Sequence, residues 1–132
     1  MPDDNVKVVR RGVEAFVQGD WEACSADFHP QIEWVEMPSL GPDAATYAGV
    51  EQVRGAVESW VEMWRTYDFE VTRYESARDR VVVLARERVS SAGSQARVHR
   101  ELGEVITLSE GKVVSVHLYG SWDEALGAAG LR

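Results

Sequence analysis

Glu104 is the residue whose type and position could do chemistry. It opens the stretch Glu104–Tyr119, EVITLSEGKVVSVHLY, which has the pattern of a β-hairpin. Runs rich in Val, Ile, Leu and Thr flank Ser109-Glu110-Gly111, with glycine where a three-residue loop needs a left-handed residue. That loop pairs Leu108 with Lys112, Ile106 with Val114, Glu104 with Val116 and Leu102 with Leu118. A two-residue loop would change these partners and leave the alternation within each strand intact. Period two then puts Leu102, Glu104, Ile106, Leu108, Val114, Val116 and Leu118 on one face. Glu104 is the only central member of that face that is not apolar. The opposite face carries Glu101, Gly103, Val105, Thr107, Val113, Ser115, His117 and Tyr119, a mixture suited to water or to a second subunit.

Burial on a face of Leu, Ile and Val disfavours the charged carboxylate, so the pKa of Glu104 should lie above the ordinary value. Such a carboxyl group can donate a hydrogen bond to a developing oxyanion or shuttle a proton. A buried arginine beside it would reverse the sign and make it structural. Arg86 is the candidate for that partner, because Arg100 on the same face reaches Glu104 only if the strand is bent. Other chemistry finds less support. His99, Glu101 and His117 share the presumed outer face and could in principle hold zinc, but solvated or interface histidines explain them, and no metal site is expected. Cys24 lacks a basic neighbour and is expected to be a small buried apolar residue. No Ser/His/Asp order, phosphate-cradling glycine motif or dinucleotide fingerprint is present.

The whole chain bounds the remaining possibilities. Its 132 residues, 45% of them hydrophobic, suffice for one core and one domain spanning 1–132. No apolar run reaches the length of a membrane span, and Met1-Pro2-Asp3-Asp4 is unlike a signal peptide. A single cysteine excludes an internal disulfide and fits a reducing cytoplasm. The formal net charge of −8 argues against nucleic acid and anionic membrane as partners. Five tryptophans are many for this length and can floor an apolar pocket as well as fill a core.

Several elements must position Glu104. Residues 4–18 form an amphipathic helix with Val6, Val9, Val13, Phe16 and Val17 at helical spacing, stopped by Gly19. Asp20 caps a second helix bearing Trp21, Cys24 and Phe28, which His29-Pro30 ends. Residues 31–36 form a short strand, and Pro38–Ala48 a loop with Tyr47 at its end, either pointing into a cavity or stapling the loop. Gly49 opens a third helix over 50–65, whose stripe of Val53, Val57, Trp60, Val61 and Trp64 is the clearest helical pattern in the chain. Period two returns over 67–75, 80–89, 96–108 and 112–119, giving four consecutive antiparallel strands. A short helix follows over 122–128. The pattern is α+β, with helices gathered on one side of a curved sheet.

This αα-β-α-ββββ order carries landmarks. They are Phe16-Val17-Gln18-Gly19-Asp20, His29-Pro30-Gln31-Ile32-Glu33-Trp34, Tyr47-Ala48-Gly49, Gly111-Lys112-Val113-Val114 through Tyr119, and Glu124-Ala125-Leu126 to Gly130-Leu131. Together they resemble the SnoaL-like branch of the nuclear transport factor 2-like (ketosteroid isomerase-like) superfamily. The resemblance implies a cone-shaped α+β barrel, a curved, mostly antiparallel sheet wrapped around three helices with a short C-terminal helix. It also implies an interior hydrophobic pocket and dimerisation through the outer sheet face. The superfamily includes isomerases, polyketide cyclases, dehydratases and proteins without known activity. Ketosteroid isomerases use an Asp base before a proline, a helix-one Tyr and a protonated Asp on the penultimate strand. These correspond to Met37, Gly12 and Glu104, so two of the three are absent and steroid isomerisation by that route is not expected. The Asp-Arg-Asp set of the epoxide hydrolases is not matched either, although Arg86 offers a cation.

Two functions from different classes follow. One is a small cofactor-independent cyclase, isomerase or dehydratase acting on a small apolar carbonyl compound, with Glu104 as the acid/base. The other is a non-catalytic ligand-binding or dimerisation module. In either case the pocket is expected between helix three and the sheet, lined by Val35, Met37, Tyr47, Val57, Trp60, Trp64, Arg86, Leu102, Val116 and Leu118. A homodimer through Val105, Val113, Ser115, His117 and Tyr119 is expected, because that face is too apolar to be wholly wet.

Overall fold

The computed structural model describes residues 2–94 and 96–131. Helix α1 spans Pro2–Val17 and α2 spans Trp21–Cys24, with α3 at Val50–Glu62 and α4 at Trp122–Ala128. The strands are β1 (Phe28–Glu36), β2 (Thr46–Ala48), β3 (Thr66–Ala77), β4 (Arg80–Ser90), β5 (Val98–Ser109) and β6 (Lys112–Tyr119). They form one sheet in the order β2-β1-β6-β5-β4-β3. Only β1 and β6 are parallel; every other pair is antiparallel. The sheet curls without closing, because its edges β2 and β3 pair only on one side.

Local chemistry sets the element ends. Gly19 takes a φ of 76° after α1, and the Asp20 carboxylate accepts from the Ala23 N–H at 3.1 Å to cap α2. Ser121 caps α4 in the same way, accepting from the Glu124 N–H at 3.3 Å. The second helix is shorter than its periodicity suggests, and His29-Pro30 lies inside β1 instead of ending that helix. Pro30 has no N–H to give, and it sits where pairing with β6 changes register between Phe28 and Glu33. The stretch expected as a plain loop contains a 3-10 turn at Pro38–Leu40 and then β2, so the sheet has six strands instead of five. Helix α3 ends at Glu62, leaving Trp64 beyond it.

The hairpin differs from its expected register. Glu110 and Gly111 have φ of 50° and 78°, which makes a two-residue loop with Ser109 opposite Lys112. A bulge follows, so that Leu108 pairs with Val113, Thr107 with Ser115, Ile106 with Val116 and Glu104 with Leu118. The bulge turns Val113, not Val114, into the interior, where it is buried in the main core.

Two apolar clusters lie on opposite faces of the sheet. Val81, Val83, Ala85, Leu102, Ile106 and Leu118 join Val9 and Val53 on the concave side. On the convex side Val82, Leu84 and Val105 pack against Ala125, with Trp122 and Leu126 at the margin. Helix α4 therefore lies on the outer face, not with the other three. Gly103 permits this, since a Cβ there would lie 2.5 Å from that of Ala125. The expected interface loses two of its members. Val105 is covered by α4 of its own chain and Val113 points inward, while Ser115, His117 and Tyr119 remain half-buried outside.

Candidate functional site

Helices α1, α2 and α3, all six strands and the segment 40–44 line a cavity of about 680 Å³. The residues leading into that segment are tied to β6 and to the residue after it. Met37 N–H donates to the Leu118 carbonyl at 2.8 Å, and Gly120 N–H donates to Ser39 Oγ at 2.9 Å. Backbone there approaches Gly120 so closely that a side chain would collide with the Ser39 carbonyl. Apolar surface dominates the lining, with Phe16, Trp21, Phe28, Trp34 and Phe69 among the aromatics.

Glu104 faces this cavity from β5 and is 9% exposed. It makes no hydrogen bond or ion pair with any described residue. Burial, helped by the nearby charge of Glu87, pushes its carboxyl up to about 7. Neither proposed arginine partner reaches it. Arg86 lies on the outer face, its guanidinium 4.5 Å from the centre of the Trp122 ring. Arg100 does face inward, but it pairs with Glu87.

Glu87 is 2% exposed and surrounded by donors. Arg100 Nε donates to Oε1 at 2.6 Å, Trp60 Nε1 donates to Oε2 at 3.1 Å, and the Tyr67 hydroxyl also donates to Oε2. The Arg100 guanidinium lies 4.7 Å from the centre of the Trp60 ring. Burial, with Glu87 beside it, pushes the Tyr67 phenol up, so it stays a donor. Cys24 also lines the cavity; burial and then the charge of Glu104 push its thiol up to about 12, which removes it as a nucleophile.

Of the residues expected in the lining, Tyr47, Val57, Trp60, Leu102, Val116 and Leu118 face the cavity with Glu104. Val35, Met37, Trp64 and Arg86 do not. Val35 follows Trp34 on β1, so alternation turns it to the other face. Met37 sits beside Tyr119 and Asp123 at a separate shallow depression, because its backbone is tied to β6. Trp64 lies past the end of α3 and packs edge-on to Trp60, 5.4 Å between ring centres. Gly12, at the position of the isomerases' tyrosine, does line the cavity, but it has no side chain to offer. Glu101 accepts from the Trp122 N–H at 3.0 Å at the start of α4. Among the described residues no group of three His, Cys, Asp or Glu side chains could hold a metal ion. No helix among them is long and apolar enough to cross a membrane.

The family model of the SnoaL-like domain matches residues 9–116. The chain belongs to that family. No curated protein sequence matches this SnoaL-like chain. Solved structures do match it. A nuclear transport factor 2-like protein from Burkholderia thailandensis has a TM-score of 0.79 at 25% identity, covering 92% of this chain and 96% of that one. A protein with the ketosteroid isomerase-like fold from Catenulispora acidiphila, in complex with trimethylamine, has 0.73 at 20%, covering 96% and 94%. TerC, co-crystallised with polyporic acid, has 0.78 at 17%, covering 96% and 98%. The cone fold is thereby shown for the SnoaL-like chain.

Sequence reasoning placed Trp60 in the lining and Arg100 on the inner face but missed Glu87 and Tyr67, and with them the cluster. The signal for Glu87 was present: Val81, Val83, Ala85, Glu87 and Val89 alternate as Leu102, Glu104 and Ile106 do, again with one acid on an apolar face.

Proposed function

We propose that this cavity is the active site of a small cofactor-independent enzyme of the cyclase, isomerase or dehydratase type, acting on a small apolar carbonyl compound. The observation that carries this reading is the unpartnered Glu104 carboxyl in the cavity wall, held near a pKa of about 7. A group titrating there is present in both forms at neutral pH. As carboxylate it removes a proton from the carbon next to the carbonyl. As carboxylic acid it returns that proton to another carbon, or to the oxygen of a departing hydroxyl. Glu87 is not suited to this role, because three donors already occupy its oxygens. A module that only binds would use the same carboxyl as a contact for its ligand, and proton exchange is what separates the two readings. The reading retains a homodimer through the rest of the outer face, around Ser115, His117 and Tyr119, and light scattering tests that part separately.

Proton exchange tests the chemistry without knowledge of the substrate. A panel of apolar ketones is incubated with the protein in D₂O, and deuterium at the α-carbons is followed by NMR. Exchange is expected with at least one member, slowed about 10²–10⁴-fold in Glu104→Gln. Equal exchange in the variant would refute Glu104 as the acid/base.

A further inference from the structure

Arg100 is the only cation lining the cavity among the described residues. It is held firmly, with Nε on Glu87 Oε1 at 2.6 Å and the guanidinium over the Trp60 ring. Glu87 is itself fixed by Trp60 and Tyr67. No described residue other than Glu87 accepts a hydrogen bond from the guanidinium. Glu87 has its donors; Arg100 is the member of the pair with capacity unused. A guanidinium carries five N–H groups in a fixed fork, and with Nε engaged the Nη edge remains to meet a ligand. Arg100 is one-third exposed, so that edge is open to the cavity and its water, which an acidic group of a ligand can displace.

We propose that Arg100 anchors an acidic oxygen group of the ligand, a carboxylate or an ionised enol. The ligand's apolar body runs over Leu102, and its reacting carbon lies at Glu104. Arg100, Leu102 and Glu104 follow one another on the cavity face of β5, and pairing with β4 continues through them without a register shift. At about 3.4 Å per residue the Cα atoms of Arg100 and Glu104 lie about 14 Å apart. The carbonyl compound proposed above is thereby narrowed to an elongated, amphiphilic one, whose apolar body carries an acid group several bonds from the carbon that reacts. This inference rests on the cavity being the ligand site proposed above, and not on turnover.

The test titrates tryptophan fluorescence with 4-phenylbutanoate and, separately, with its uncharged isostere 4-phenylbutanamide at pH 8. The carboxylate is expected to bind the wild-type protein about tenfold more tightly, as a charge-assisted bidentate contact allows. Arg100→Gln should bring the two probes to within about twofold of each other. The Glu87→Gln/Arg100→Gln double variant should do the same without leaving an unpaired buried charge, and it decides the matter if the single variant does not fold. Glu104→Gln should keep the preference for the carboxylate. Equal affinity of the two probes for the wild type, failure of the carboxylate to bind at all, or a preference that survives in the double variant would each overturn the proposal. A kept preference with unchanged proton exchange in Glu104→Gln would leave the anchor standing and remove the acid/base reading.

Discussion

Glu87 and Glu104 face the same cavity from neighbouring strands, each the one acid in a row of apolar residues, and their surroundings differ completely. Glu87 has an arginine, an indole N–H and a phenol on its two oxygens. Glu104 has burial and the repulsion of Glu87. The same side chain on the same kind of face thus becomes a strut in one place and a titrating acid in the other. Partners, not burial, make the difference, since both are nearly inaccessible. The strut also serves the acid, because it adds to the raised pKa of Glu104 and holds Arg100 and Trp60 in the cavity wall.

The largest expected effect comes from cutting the strut. Glu87→Ala leaves Arg100 unpaired and orphans the donors of Trp60 and Tyr67, so a loss of about 3–5 kcal/mol in urea unfolding is expected. The solvent reaching Arg100, one-third exposed, favours the lower end. A loss below 1 kcal/mol would mean that the cluster contributes little to stability.

Glu104→Gln should act in the opposite direction. The native carboxyl titrates near 7, against an ordinary value of 4.5. The folded protein therefore holds the proton more tightly than the unfolded chain, and wild-type stability falls as pH rises from about 4.5 to 7. The variant lacks that loss. It should be more stable than wild type by about 3 kcal/mol at pH 8 and nearly equal at pH 4. Melts across this range check it, and a variant destabilised at pH 8 would show that Glu104 has a partner after all.

Gly103 separates the two faces in a different way. Glu104 requires cavity space on the concave side, whereas its neighbour requires none on the convex side, where α4 presses on the strand. Gly103→Ala should cost about 1–3 kcal/mol by displacing α4. It should leave the affinity of the cavity for 4-phenylbutanoate unchanged, since the clash is on the far side of β5.

Much of this was legible in the sequence because period two and helical spacing are local. Strand alternation put Glu104, Leu102, Val116 and Leu118 on one face, and the α3 stripe supplied Val57 and Trp60. What was not legible depended on a single added or missing residue. The bulge after Thr107 exchanged Val113 for Val114 in the interior. The end of α3 at Glu62 took Trp64 off the stripe, and the tie of Met37 to β6 turned its side chain away. Glu87 has the same local pattern as Glu104, one acid on an alternating apolar face, but the donors that make it a strut come from α3, β3 and β5 and have no local signature. The Arg100–Glu87 pair lies thirteen residues apart in sequence; it becomes visible only once the β4–β5 register sets those two residues opposite one another.

The smallest expected effect contrasts two arginines. Arg86 and Arg100 both carry a guanidinium over a tryptophan ring, at 4.5 and 4.7 Å from the ring centres. Arg100 stands on the cavity side with a buried carboxylate fixing it, whereas Arg86 is exposed on the outer face over Trp122 of α4. An exposed contact of that kind contributes about 0.5–1 kcal/mol, so Arg86→Ala should lower stability by no more than that. Because Arg86 faces away from Glu104, the NMR titration of the Glu104 carboxyl should keep its midpoint near 7 in the variant. A midpoint displaced by as much as one pH unit would place Arg86 in electrical contact with the cavity. The separation of the inner and outer faces of the sheet would then fail at its simplest point.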